Sequence, residues 1–143
     1  MFNPAHLHPM MVHFPIAIIL LGMLFEAASL YYKKEEWLRK ASLYLLVAGA
    51  LAAVAAFVTG YFLTEEPTGG GIAEVFELHE TLAIITLSLI IITAGLRVYG
   101  EMKGKNSPVL KRTALVTYAL AAVSVAWTGY LGGTMVYEYM TAL

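Results

Sequence analysis

Four unbroken apolar runs restrict this chain to the membrane-spanning helical folds. They cover about residues 12–32, 41–63, 75–99 and 109–130. Each run meets the requirement of about 20 residues for a helix that crosses the hydrocarbon core of a bilayer. Only helices satisfy their own backbone groups in a span of that length. Because only 13% of the residues are charged, the sequence predicts an all-α integral membrane protein embedded in lipid rather than a soluble domain.

Basic residues are confined to alternate connections, and this pattern sets the expected orientation. The second connection, residues 64–80, and both termini contain no Lys or Arg. Connections rich in basic residues stay in the cytoplasm, and short connections favour an up-down four-helix bundle. We therefore expect a multi-pass protein of a bacterial or archaeal inner (cytoplasmic) membrane with both termini outside. The basic residues concerned are Lys33, Lys34, Arg39 and Lys40 in the first connection, and Lys103, Lys105, Lys111 and Arg112 in the third.

The chain also contains an internal repeat. Residues 50–61 read ALAAVAAFVTGY and residues 119–130 read ALAAVSVAWTGY, which are identical at eight of twelve positions. Upstream, His13 opens HFPIAII and His79 opens HETLAII. The repeat predicts a single domain, residues 1–143, made of two similar helical hairpins, about residues 8–63 and 74–137. A pseudo-two-fold relation between the hairpins would bring His13 opposite His79.

Two opposed imidazoles are the axial ligands of a low-spin haem. Counting 1.5 Å per residue along the helices puts Gly60 level with His13 and Gly129 level with His79. Glycine would leave room for the flat macrocycle, and the neighbouring tyrosines offer hydroxyl groups to its propionates. The sequence therefore predicts one haem b held by His13 and His79, with Gly60, Gly129, Tyr61 and Tyr130 around it.

Two other functions are open at this stage. His8, His13 and His79 could form a three-histidine site for a divalent metal such as zinc, copper or iron. Alternatively, the histidines only cap helices in an accessory subunit without a cofactor. A haem near the outer face, with no histidine in the inner half, would exchange electrons with an external redox protein or a quinone. The absence of cysteine excludes thiolate ligands, and no nucleic-acid motif is present.

Polar and charged residues inside the apolar runs predict further features of the bundle. A step of 100° per residue puts five residues of the third run on the face of His79, which predicts a partly polar stripe that points into the bundle. Glu26 lies on a different face from His13, and we interpret it as one half of an ion pair with Arg97 or a loop lysine. The five residues of the stripe are Ala83, Thr86, Ile90, Thr93 and Arg97.

Two motifs carry a resemblance to a known family. The segment HPMMVHFPI begins at His8, and the segment TGYLGGTMVY begins at Thr128. Together they resemble the bacterial membrane family catalogued as domain of unknown function 2231, which has an HP-x-x-VHFPI opening, a mid-chain histidine and a TG-x-x-GG-x-x-VY ending. The resemblance implies a membrane fold, and the joining of some relatives to Rieske iron–sulfur domains implies a redox context. The positions it carries over are His8, His13, His79, Gly132, Gly133 and Tyr137.

Overall fold

The protein is described by a computed structural model that covers residues 7–64, 67, 69–104 and 107–140. Within these residues the chain forms helices and turns and no strand. The helices are α1 (Leu7–Met11), α2 (His13–Tyr31), α3 (Glu36–Leu63), α4 (Gly71–Met102) and α5 (Pro108–Thr134), and a π-helical segment (Met135–Met140) continues α5.

Four spans in the described part of the chain are long and apolar enough to cross a membrane. They are Leu7–Tyr31, Glu36–Leu63, Gly71–Met102 and Pro108–Glu138, so α1 and α2 together make one span. α2 packs on α3 and α4 on α5, while contacts of α3 with α4 and of α2 with α5 close the bundle. The predicted all-α membrane bundle of four helices is therefore confirmed. The two hairpins are its units, and their descent from one repeated sequence stays a prediction.

The bundle core combines a few large side chains with many small ones. Ile19, Leu46, Ile90 and Tyr118 are fully buried. Gly49 lets α2 approach α3, because a Cβ at this position would lie 2.6 Å from Ile19 Cδ1. Close packing of this kind replaces the hydrophobic effect as the force between helices in lipid. The small residues buried beside them are Ala50, Ala53, Ala56, Ala114, Ala121 and Ala122.

The first span is interrupted at Val12, between α1 and α2. Pro15 has no backbone N–H to donate to the carbonyl of Met11, which an uninterrupted helix would require. The backbone bond from Ile16 N to Val12 O is 3.4 Å long, and the His13 ring donates from Nδ1 to Pro9 O at 2.7 Å. Val12 itself keeps helical dihedral angles (φ −63°, ψ −24°), so the interruption is one of hydrogen bonding within a single span. α1 contacts α3 and carries His8.

The two ends of the bundle differ in character. At the end where α3 and α5 finish, which we call the histidine end, lie His8 and His79. At the opposite, basic end, Arg97 Nη1 lies 2.6 Å from Glu26 Oε2, and both side chains are about one-tenth exposed. Arg97 Nη2 also donates to Arg39 O at 3.4 Å. The expected ion pair of Glu26 is thus present, with Arg97 as its partner rather than a loop lysine.

Orientation in the membrane stays a prediction, and a reporter fusion tests it. Alkaline phosphatase fused after Leu143 should be active, and a cytoplasmic reporter at the same point should be inactive, because basic residues hold the first and third connections inside. Fusions in the first connection serve as the matched control and should give the opposite pair of results. Cytoplasmic activity after Leu143 would reverse the orientation and put the histidine end on the cytoplasmic side.

Candidate metal centre

Two imidazoles meet at the histidine end of the bundle. The ring centroids of His8 and His79 are 6.4 Å apart, and the ring planes lie at 81° to each other. α1 brings His8 to this position against α3, and the first turns of α4 bring His79 against α5. Both rings are partly buried. In the described part of the chain, His8 is therefore the histidine whose ring faces His79.

Backbone carbonyl groups fix the tautomer of both rings. His8 Nδ1 lies 3.0 Å from Ala56 O, and His79 Nδ1 lies 3.0 Å from Thr128 O. A carbonyl oxygen only accepts hydrogen bonds, so each Nδ1 must carry the hydrogen. In the neutral imidazole the lone pair is then on Nε2. Histidines that bind metals commonly donate their other ring N–H to a carbonyl in this way, so both rings are prepared as Nε2 donors.

A glycine lies one helical turn beyond each of these carbonyl groups. Gly60 follows Ala56 by four residues, and a Cβ at Gly60 would lie 2.8 Å from Cε1 of His8. Gly132 follows Thr128 by four residues, and a Cβ there would lie 3.3 Å from Cε1 of His79. The same local arrangement, a carbonyl acceptor followed by a glycine that accommodates the ring, therefore occurs on α3 and α5.

The structure does not bring the ring of His13 to His79. The side chain of His13 is exposed, and its Nδ1 is held by Pro9 O at the interruption of the first span. The prediction counted residues from His13, whereas the ring that faces His79 is that of His8. His8 lies five residues earlier, which is about 140° around a helix. No group of three or more His, Cys, Asp or Glu side chains suited to a metal is present among the described residues, so His8, His13 and His79 do not form one cluster there.

The two glycines and two tyrosines expected around a haem lie in different surroundings. Gly60 lies at the site but accommodates the His8 ring, whereas a Cβ at Gly129 would lie 2.7 Å from Ile16 Cδ1, so Gly129 serves the packing of α5 on α2. Tyr61 and Tyr130 are 69% and 71% exposed, because they lie on the outer faces of their helices. Tyr130 lines a shallow cleft there with Val123, Ala126 and Trp127.

Some of the site was accessible from the sequence and some was not. The family motifs carried His8 and Gly132, whereas the repeat aligned Gly60 with Gly129, three residues short of the glycine that the His79 ring uses. The acceptors on Ala56 and Thr128 are backbone atoms, which have no side-chain signal. Of the other family positions, Gly133 faces open space and Tyr137 is exposed. His6 lies outside the described residues.

Alanine substitution of the three glycines should separate their roles. Gly60→Ala should displace the His8 ring, because its Cβ would lie 2.8 Å from that ring. Gly132→Ala should disturb His79 less, because the corresponding distance is 3.3 Å. Gly129→Ala should leave both rings in place, because its Cβ contact at 2.7 Å is to Ile16. Nitrogen NMR of the imidazoles measures ring displacement. Gly129→Ala should instead change the free energy of unfolding by only about 1 kcal/mol or less, because Ile16 Cδ1 is the free end of a flexible side chain and alanine is favoured over glycine within a helix. Equal imidazole shifts in all three variants would contradict this assignment.

Comparison with known proteins agrees with the motifs in the sequence. No curated protein and no solved structure matches the chain. A family model described as a predicted membrane protein, domain of unknown function 2231, matches residues 4–143. Because this match covers almost the whole chain, including both motifs and all four spans, the chain belongs to that family of membrane proteins.

Proposed function

We propose that this protein is a small membrane cytochrome that binds one b-type haem between His8 and His79. The observation that carries the proposal is the separation of the two rings. An imidazole bound through Nε2 has its ring centroid about 3 Å from the metal, because the metal–nitrogen bond is about 2 Å long. Two such rings on opposite sides of one ion have centroids about 6 Å apart, and those of His8 and His79 are 6.4 Å apart.

The number of donors supports haem over an isolated metal ion. Zinc sites normally use three or four protein ligands, and the histidine pair has no third His or acidic side chain beside it in the described residues. Haem iron already has four nitrogen ligands and needs only axial donors from the protein. When bound, haem would supply one-electron chemistry. Two neutral imidazoles, each oriented by a carbonyl group, are a suitable axial pair.

The position of the pair limits what such a protein could do. No histidine follows His79, and none lies between His13 and His79, so a second haem at the basic end would lack imidazole ligands. One haem at the histidine end could not carry electrons across the whole membrane. Exchange with an external redox protein or with a quinone in the same leaflet fits this position best.

A visible spectrum of the protein tests the proposal. Protein purified in detergent from haem-replete cells should show an intense Soret band and contain one haem per chain by the pyridine haemochrome assay. Apoprotein should recover the same spectrum when titrated with haemin. A colourless protein with one bound metal ion per chain would support the histidine metal site instead. A colourless, metal-free protein that does not take up haemin would leave the accessory-subunit function.

A further inference from the structure

Three hydroxyl groups between α4 and α5 are hydrogen-bonded to one another beside the contact of His79 with Thr128. Thr86 Oγ1 is 2.6 Å from Ser124 Oγ and 3.0 Å from Thr128 Oγ1, and Thr128 Oγ1 donates to Ser124 O at 2.9 Å. Each hydroxyl has one hydrogen to donate. Thr128 has used its own, so it accepts from Thr86, and Thr86 in turn accepts from Ser124. The donor and the acceptor of these three hydrogen bonds are thereby fixed.

Two residues of α4 form hydrogen bonds to Thr128 of α5. Thr86 donates to its side chain, and His79 donates to its carbonyl oxygen. His79 and Thr86 are seven residues apart, so they lie on the same face of α4. Thr86 is only 5% exposed, and water therefore has little access to compete for its bonds. Together the two residues fix the register of α4 on α5 and hold the His79 ring rigidly.

His8 is supported by a shorter element. Its Nδ1 also lies 3.4 Å from Thr59 Oγ1, and its ring lies against Gly60. α1 has five residues, and none of them is buried. The bond that orients the ring goes to Ala56 O, and this oxygen also accepts from Thr59 Oγ1 at 2.9 Å. The interruption at Val12, where Pro15 removes a backbone hydrogen bond, provides a pivot for α1. A rotation there would withdraw the His8 ring from Ala56 O and from its contact with Gly60 of α3.

We infer that His79 is a fixed donor and His8 a releasable one, so that the site accepts a small neutral ligand of the carbon monoxide type in place of His8. The inference rests on the proposed haem site and extends it from electron transfer to ligand binding. The exchange moves no electron and no proton, because His8 leaves as the neutral imidazole and the ligand enters uncharged. Thr86 acts through His79 and is a positioning residue.

Carbon monoxide binding to the reduced holoprotein tests the release of His8. The carbonyl spectrum should form at a rate that becomes independent of carbon monoxide concentration, because departure of His8 limits it. His8→Ala should remove this limit. Pro15→Ala, which restores a backbone donor at the pivot, should lower the limiting rate by about fivefold or more, as one added hydrogen bond predicts. Reduced protein with an intact haem spectrum that binds no carbon monoxide would overturn the inference.

Hydrogen exchange in the haem-free protein supplies a second measurement that does not depend on the cofactor. The amide of Val12, which donates to His8 O at 3.1 Å, should exchange much faster than those of residues 79–86, because α1 opens without the rest of the bundle. Thr86→Val should reduce protection around His79 and leave α1 unchanged, and Thr117→Val, whose hydroxyl bonds only within its own helix, is the matched control. Equal protection of the Val12 amide and of residues 79–86 would refute unequal anchoring, even if the proposed haem is absent.

Discussion

Alanine at His8 or His79 is expected to abolish the low-spin haem spectrum of the purified protein. Each substitution removes one of the two proposed axial ligands, whose ring centroids are 6.4 Å apart. With one ligand left, the iron of a bound haem would be five-coordinate and high-spin, or the haem would be lost. The measurement is the absorption spectrum of each variant, with haem content per chain from the haemochrome assay.

His13→Ala provides the matched control for this experiment. Its Nδ1 also donates to a carbonyl oxygen, so its tautomer is equally suited to a metal, but its side chain is exposed and its ring does not face His79. The spectrum should therefore persist in His13→Ala. Loss of the spectrum in His13→Ala together with its persistence in His8→Ala would restore the pairing that the repeat predicts. A requirement for all three histidines would favour the three-histidine metal site.

Features that depend on periodicity and hydropathy were predictable from the sequence. The four spans follow from run length alone. Thr86, Ile90 and Thr93 are buried as the 100° spacing predicts, because the face of a helix that carries polar groups in lipid is the one that packs on other helices. The ion pair of Glu26 followed from the same cost of burying a lone charge, which leaves few possible partners within a span.

Features that depend on the backbone were not predictable in the same way. The repeat placed His13 opposite His79, but the ring that faces His79 is that of His8, which lies five residues earlier and about 140° around a helix. The repeat placed Gly60 beside His13 and Gly129 beside His79, whereas Gly60 lies against the His8 ring and the His79 ring lies against Gly132. A shift of three residues is almost one helical turn, so sequence identity within the repeat could not reveal it.

Loss of one partner of the Glu26–Arg97 pair is expected to have the largest effect on stability. The two side chains are about one-tenth exposed, with Nη1 and Oε2 2.6 Å apart. Arg97→Met would leave a buried carboxylate without its counter-ion, which costs about 3–5 kcal/mol in other proteins. Glu26→Leu should cost a similar amount by leaving the guanidinium unpaired. The free energy of unfolding in detergent micelles, from denaturant titration followed by circular dichroism, measures both.

Two further variants separate this effect from a general loss of charge at the basic end. The ion pair of Arg39 with Glu101 joins α3 to α4 nearby, but its side chains are 44% and 41% exposed. Arg39→Met should therefore cost only about 0–1 kcal/mol, because water screens the pair. The double variant Glu26→Leu/Arg97→Met should recover most of the loss, since no uncompensated charge remains in the bundle. A double variant as unstable as Arg97→Met would mean that Arg97 acts through its bond to the carbonyl of Arg39 rather than by neutralising Glu26.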